Sequence, residues 1–233
     1  MAFSKPPAEK TYDTTMNIRE NMQNLQLHLR ETPGYLFIKR VMDLCGALVG
    51  LIFLSPLFLL ISIIIKLNDP EGPIFFKQNR VGKNGEQFRI YKFRSMVHHA
   101  EDLLDDLLDK NESSGAMFKI KNDPRVTQVG RFLRKTSLDE FPQLLNVLKG
   151  EMSLVGPRPP LLREVQQYSQ YDKQRLLVKP GCTGLWQVEA RSSVGFETMV
   201  ELDIEYIKKR STLFDIKIMI KTLFIIFHSK NSY

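Results

Sequence analysis

The sequence predicts an α+β chain, predominantly helical, in which an apolar membrane helix precedes a small β-hairpin and a series of amphipathic helices. Three observations carry this reading. Leu44 to Ile65 is uncharged and mostly apolar, Ile74 to Phe93 holds two short runs around Asn84-Gly85, and from Leu144 onward apolar residues recur at helical spacing. With 233 residues, 43% of them hydrophobic, the chain has enough apolar material for a core. It divides into a polar N-terminal extension (1–34), a membrane helix (35–67) and a membrane-associated domain (68–233).

The extension carries scattered charges and a Met22, Leu25, Leu29 spacing that predicts a short helix ending at Pro33-Gly34. It lacks the apolar centre of a signal peptide, so the following apolar segment is expected to persist as an anchor. At ~1.5 Å per residue that segment would reach about 33 Å, enough for a ~30 Å hydrocarbon core. Pro56 cannot donate to the Ile52 carbonyl and must bend the helix, while Ser55 is expected to bond back to the Leu51 carbonyl. Lys39 and Arg40 precede the segment, and Lys66, Lys77, Arg80 and Lys83 follow it, so basic flanks pull both ends to the cytoplasmic side. Charge and kink leave two forms open, a re-entrant hairpin breaking at Ser55-Pro56 and a kinked single span.

Beyond the turn cluster Asn68–Pro73, the runs Ile74–Gln78 and Gln87–Phe93 predict an antiparallel ribbon. Val97 to Lys110 reads as an amphipathic helix whose acids form a solvated face, and neither these acids nor His98-His99 has metal-ligand spacing. Further helices are predicted over Leu144–Lys149, stopped by Gly150, and over Leu161–Leu177, stopped by Lys179-Pro180-Gly181. Glu197–Arg210 follows, and Thr212 with Asp215 resembles a capping box opening Leu213–His228. That last helix is apolar nearly all round, which suits either the membrane interface or an ordinary core.

A net charge of +7 favours a phosphate-bearing partner without choosing among nucleic acid, anionic lipid and nucleotide. Cys45 and Cys182 indicate neither a disulfide framework nor a zinc site. The densest chemistry lies in Arg131–Pro142. Ser137 with Glu140 matches a capping box, although Pro142 sits badly in a helix begun there. In either register Asp139 and Glu140 stand at unpaired helix N–H groups behind Arg134 and Lys135, an arrangement suited to phosphate. A carboxylate held ionised among cations near a divalent ion can attack phosphorus, and a neighbouring carboxylate suits Mg²⁺. Lys92 and Arg94 leave the hairpin, Arg158 is clamped between prolines, and Arg191 follows Gly184–Val188; each is a candidate phosphate contact. Trp186 offers a stacking face or simple packing.

The chain resembles bacterial sugar transferases of the monotopic phosphoglycosyltransferase family, from about Tyr35 to Phe227. The resemblance rests on the Ser55-Pro56 break, Tyr91-Lys-Phe-Arg-Ser-Met96, Arg134-Lys-Thr-Ser-Leu-Asp-Glu-Phe-Pro-Gln143, Leu154-Val-Gly-Pro-Arg-Pro159 and Lys179-Pro-Gly-Cys-Thr-Gly-Leu-Trp-Gln-Val188. It implies a re-entrant helix and a cytoplasmic catalytic domain at the bacterial inner membrane. The implied reaction moves a sugar phosphate from a UDP-sugar to polyprenyl (undecaprenyl) phosphate and releases UMP, starting exopolysaccharide, O-antigen or glycoprotein glycan assembly. By the same resemblance Asp139 is the nucleophile, and Glu140 its partner in organising Mg²⁺, with both carboxylates as candidate ligands. Arg134, Arg158 and Arg191 fall at anion-binding positions, and Lys92 and Arg94 beside them. Without a bundle of membrane helices before Tyr35, the chain resembles the minimal catalytic form.

A membrane-tethered scaffold without catalysis is the rival class; it would explain the anchor and the charge but would tolerate loss of Asp139. Nucleic acid is not an expected partner, because the arginines are dispersed and no recognition motif appears. The sequence identifies neither the donor sugar nor the pathway, and a homo-oligomer is left open.

Overall fold

Thr32 accepts a hydrogen bond from the Tyr35 amide and a proline follows at the first helical position, so the chain enters α1 (Pro33–Asn68), a single helix of 36 residues. The computed structural model describes residues 32–112, 120, 122–190 and 195–228. The short helix expected around Met22 to Leu29 lies outside these residues, as does Arg191. α1 runs through Pro56, and Ser55 bonds the Ile52 carbonyl at 2.8 Å instead of Leu51. Among the described residues α1 is the one helix long and apolar enough to cross a membrane.

The hairpin follows as β1 (Phe75–Val81) and β2 (Gln87–Phe93), antiparallel and in register from Phe75 opposite Phe93 to Val81 opposite Gln87. The turn needs positive φ at two successive residues, and Asn84 (55°) and Gly85 (78°) supply it. Next come α2 (Gln128–Lys135), capped by Thr127, a 3₁₀ turn over Leu138–Gln143, and α3 (Leu144–Lys149), which ends at Gly150. Two short strands not expected from the sequence, β3 (Ser153–Val155) and β4 (Gly181–Thr183), pair in parallel. They approach so closely that a Cβ on Gly181 would lie 2.0 Å from the Gly156 nitrogen. Between them lie α4 (Leu162–Val165), α5 (Gln170–Lys173) and a 3₁₀ turn over Gln174–Leu177; after them come α6 (Leu185–Glu189), α7 (Phe196–Lys209) and α8 (Thr212–His228).

Three apolar clusters hold these parts. The main one joins Val155, Val165, Leu176, Leu185, Tyr206, Ile207 and Ile218. A second sets Ala47 of α1 against Ile90, Val147 and Met152, and a third sets Ile61 and Ile65 against Phe93 and Leu133. One stripe of α1 therefore docks along its length. The opposite stripe is bare, with Phe53 79% exposed among Leu48, Val49, Ile52, Leu59 and Leu60. α8 buries Ile218 in the main cluster and leaves Leu213, Ile220, Leu223 and Phe224 exposed.

Several local expectations are corrected. Val97 to Lys110 forms turns and a 3₁₀ segment over Asp105–Lys110. The Val97 amide is drawn to the Arg125 carbonyl, His99 has φ 65°, and Glu101/Asp105, Asp102/Asp106 and Asp105/Asp109 would repel at helical spacing. The helix expected from Leu161 to Leu177 is interrupted, because Ser169 caps a fresh start in a reciprocal box with Asp172. Ser211, not Thr212, bonds the Phe214 amide at the start of α8. Asp215 is withdrawn from capping: its carboxylate accepts from Lys39 at 2.9 Å, Tyr35 at 3.0 Å and Tyr206 at 2.7 Å.

Candidate active site

The β-hairpin presents one face to the rest of the domain. Period-two alternation puts Phe76, Gln78 and Arg80 of β1 on the same side as their partners Lys92, Ile90 and Phe88 of β2. Ile90 and Phe88 pack inward, and the turn Leu138–Gln143 lies against β2. Lys92 reaches that turn and forms an ion pair with Glu140. The capping box read from Ser137 and Glu140 is therefore absent: Ser137 makes no cap hydrogen bond, and Glu140 is held by a lysine from another strand. Ser137 itself adopts φ 57° and ψ 16°, a left-handed conformation costing of order 1 kcal/mol for a serine. That kink turns the chain so that Asp139 faces inward at 6% exposure.

The two adjacent carboxylates have different environments. Burial pushes the Asp139 carboxyl above the usual aspartate range; Lys92 pulls it back, and the Glu140 charge pushes it up again. Burial acts the same way on Glu140, but Lys92, by charge and hydrogen bond, and then Arg158 and Arg80 hold it below its ordinary range. Protein cations thus hold Glu140 ionised, while at Asp139 burial outweighs the same Lys92 charge.

Of the basic residues read from the sequence, Lys92 and Arg134 bear on Asp139, and Lys92 and Arg158 on Glu140. Arg134, in the last turn of α2, donates to Ser95 Oγ at 2.9 Å. Arg158 donates to Glu164 at 3.0 Å, and the same carboxylate accepts from the Leu161 amide. Arg94 turns away: buried, it pairs with Asp69 at 3.1 Å and bonds the Asp69 carbonyl, closing the C-terminal end of α1 onto the hairpin. Trp186 is half-buried with its indole N–H enclosed.

Sequence reasoning passed over Arg80, reading it only as a positive flank of the membrane segment. Its place beside the site is set by the strand register, which puts Arg80, Gln78 and Phe76 on the face of Lys92. Lys39 was read in the same way. It instead donates to the Val155 carbonyl at 2.9 Å, immediately before the loop that carries Arg158.

The chain belongs to the bacterial sugar transferase family, whose pattern it matches over residues 34–229. It is 47% identical to "Galactosyl transferase CpsE" of Streptococcus agalactiae over 83% of this chain and 43% of that relative. It is 44% identical to the "Undecaprenyl-phosphate galactose phosphotransferase" of Salmonella typhimurium over 84% of this chain and 42% of that protein. "Exopolysaccharide production protein ExoY" of Rhizobium meliloti is 42% identical over 84% of this chain and 88% of its own length. The chain thus spans less than half of the first two relatives and most of the third.

Proposed function

We propose that the protein is a phosphoglycosyltransferase that moves a sugar 1-phosphate from a UDP-sugar to polyprenyl phosphate through a covalent acyl phosphate between Asp139 and the phosphosugar. The observation that carries this reading is the asymmetric carboxylate pair: Glu140 is paired with Lys92, whereas Asp139 is buried, forms no ion pair with any described residue, and has the Lys92 and Arg134 charges near it. The name of the Salmonella relative supports the same substrate class.

In the first half-reaction a carboxylate oxygen of Asp139 attacks the sugar-linked phosphorus of the donor. A P–O bond forms, the bond to the bridging oxygen breaks, and UMP leaves with that oxygen and its electrons. Arg134, Arg158 and Lys92 stabilise charge on the phosphoryl oxygens, and Arg191 is proposed to join them from outside the described residues. In the second half a phosphate oxygen of the polyprenyl phosphate attacks the same phosphorus, and the Asp139 carboxylate is released unchanged. Asp139 and Glu140 are the carboxylates proposed to hold Mg²⁺, an ion that takes one or two carboxylates and completes its shell with phosphate and water. When bound, that ion supplies charge neutralisation at the donor diphosphate.

The membrane arrangement proposed is a re-entrant helix entering from the cytoplasmic face of the inner membrane, with Ser55-Pro56 near its deepest point. Supporting it, Tyr35, Asp43 and Ala47 before Pro56 and Ile61 and Ile65 after it are all buried against the same domain. A full span would carry one of these docked ends across ~30 Å of hydrocarbon from the other. The bare outer stripes of α1 and α8 then face lipid, and a soluble donor and a lipid acceptor meet without either crossing.

Purified protein mixed with undecaprenyl phosphate, Mg²⁺ and a panel of UDP-sugars is expected to release UMP with one or a few donors. No release with any donor, while the protein remains folded, would refute the assignment.

A further inference from the structure

We propose that Arg80 is a positioning residue for the donor-phosphate site, holding the loop that aims Arg158 and adding an unneutralised charge beside it. The proposal rests on the functional reading above and goes beyond it in assigning a residue that the reaction scheme does not use.

The loop Pro157-Arg158-Pro159-Pro160 has an unusual backbone. Three of its four residues are prolines and have no N–H, so apart from the Arg158 amide, which donates to Asp203, its course is fixed by what its carbonyls accept. All four carbonyls are held from outside the loop. Pro157 accepts from the Gly181 amide at 2.9 Å, Arg158 from Arg175 at 3.3 Å, Pro159 from Arg80 at 3.0 Å and Pro160 from the Val81 amide at 2.9 Å. Two of these donors are backbone groups at β4 and β1. The two side-chain donors are both arginines, and they differ in kind.

Arg175 is fully buried and complete, paired with Asp203 at 2.6 Å and bonded to Tyr168 at 2.8 Å. Removing it would leave a buried carboxylate uncompensated and threaten the fold. Arg80 forms no ion pair with any described residue. One of its terminal nitrogens goes to the Pro159 carbonyl, the other to the neutral Gln78 side chain at 2.8 Å, and its Nε is enclosed without a partner. The two carboxylates closest in effect are already claimed, Glu164 by Arg158 and Glu140 by Lys92. Burial, and then the neighbouring Arg158 charge, push the Arg80 guanidinium down to about 10, the direction opposite to that of a guanidinium in a completed pair. Holding one carbonyl needs only a neutral donor, which would cost less to bury. A charge placed here without a counter-ion is instead matched when a diphosphate enters beside Arg158.

The test uses the full chain in lipid nanodiscs, with inorganic pyrophosphate as probe by calorimetry and UMP release as the kinetic readout. Arg80→Met is expected to weaken pyrophosphate binding about tenfold and to lower kcat/KM by a similar factor, while Arg80→Lys stays within about threefold of wild type. In a double-mutant cycle, Arg80→Met added to Arg158→Met is expected to cost clearly less than the roughly tenfold it costs alone, because the share that works through Arg158 is already lost and only the share from its own charge remains. If Arg80→Met fails to fold, Arg80→Gln, which keeps a donor and loses the charge, is expected to show the same weakening. Unchanged pyrophosphate affinity in the folded variant, or additive losses in the cycle, would overturn the assignment. If the wild type binds pyrophosphate with the predicted Arg80 dependence but releases no UMP from any donor, the proposed reaction falls and the role of Arg80 stands.

Discussion

Asp139 and Glu140 are neighbours in the chain with opposite surroundings, and that difference makes them separable by mutation. Asp139→Asn keeps the shape of the buried side chain and removes the nucleophile, so turnover is expected to fall to background with the melting temperature nearly unchanged. UMP release and thermal unfolding on the same preparation check this. Glu164 gives a pH prediction away from the reacting groups. Burial would raise its carboxyl, but the Arg158 charge, the Arg158 hydrogen bond and the Leu161 amide together hold it below the usual glutamate range. The folded state therefore loses this proton more readily than the unfolded chain does. The resulting stabilisation is present above about pH 4.3 and is lost as pH falls through the lower folded value. Glu164→Gln is expected to flatten the acid side of a plot of melting temperature against pH; an unchanged slope would refute the linkage.

At the scale of elements, α1 is bolted to the site through polar contacts that its apolar sequence hides. Lys39 bonds Val155, Tyr206 and Asp215, and Asp43 accepts from Ser153 and Leu154, so strand β3 hangs from α1 just ahead of Arg158. Breaking the Lys39–Asp215 pair, 12% and 1% exposed, by Lys39→Met leaves a buried carboxylate without its counter-charge, held only by two tyrosine hydroxyls, and is expected to destabilise the fold by about 3 kcal/mol in chemical unfolding. The apolar run, the Asn84-Gly85 hairpin and the α3 stop at Gly150 were legible because each rests on a local rule of periodicity or turn chemistry. The interrupted segment Leu161–Leu177 and the turns after Val97 were not, since a mid-run serine cap and a long-range amide bond decided them. In the site, the Asp139-Glu140 pair stood out in the sequence. The Lys92–Glu140 pairing, the diversion of Arg94 to Asp69 and the entry of Arg80 depend on strand register and distant partners, which spacing along the chain does not encode.

Across the whole molecule, the exposed apolar stripes of α1 and α8, the carboxylate pair and the cations around it fit the proposed device, a phosphoryl-transfer site held against a bilayer. In a re-entrant arrangement, cysteines introduced singly near residues 36 and 67 are both expected to be labelled from the cytoplasmic side of inverted vesicles; labelling from opposite sides would establish a span instead. Chelation of divalent ions is expected to abolish UMP release and renewed Mg²⁺ to restore it. The most direct test of the account is to incubate the enzyme with a labelled UDP-sugar and no lipid acceptor, quench it, and map the label by mass spectrometry. The account predicts a phosphosugar adduct on the peptide containing Asp139, absent from Asp139→Asn and discharged by polyprenyl phosphate. Lipid product accumulating with no adduct on that peptide would contradict it.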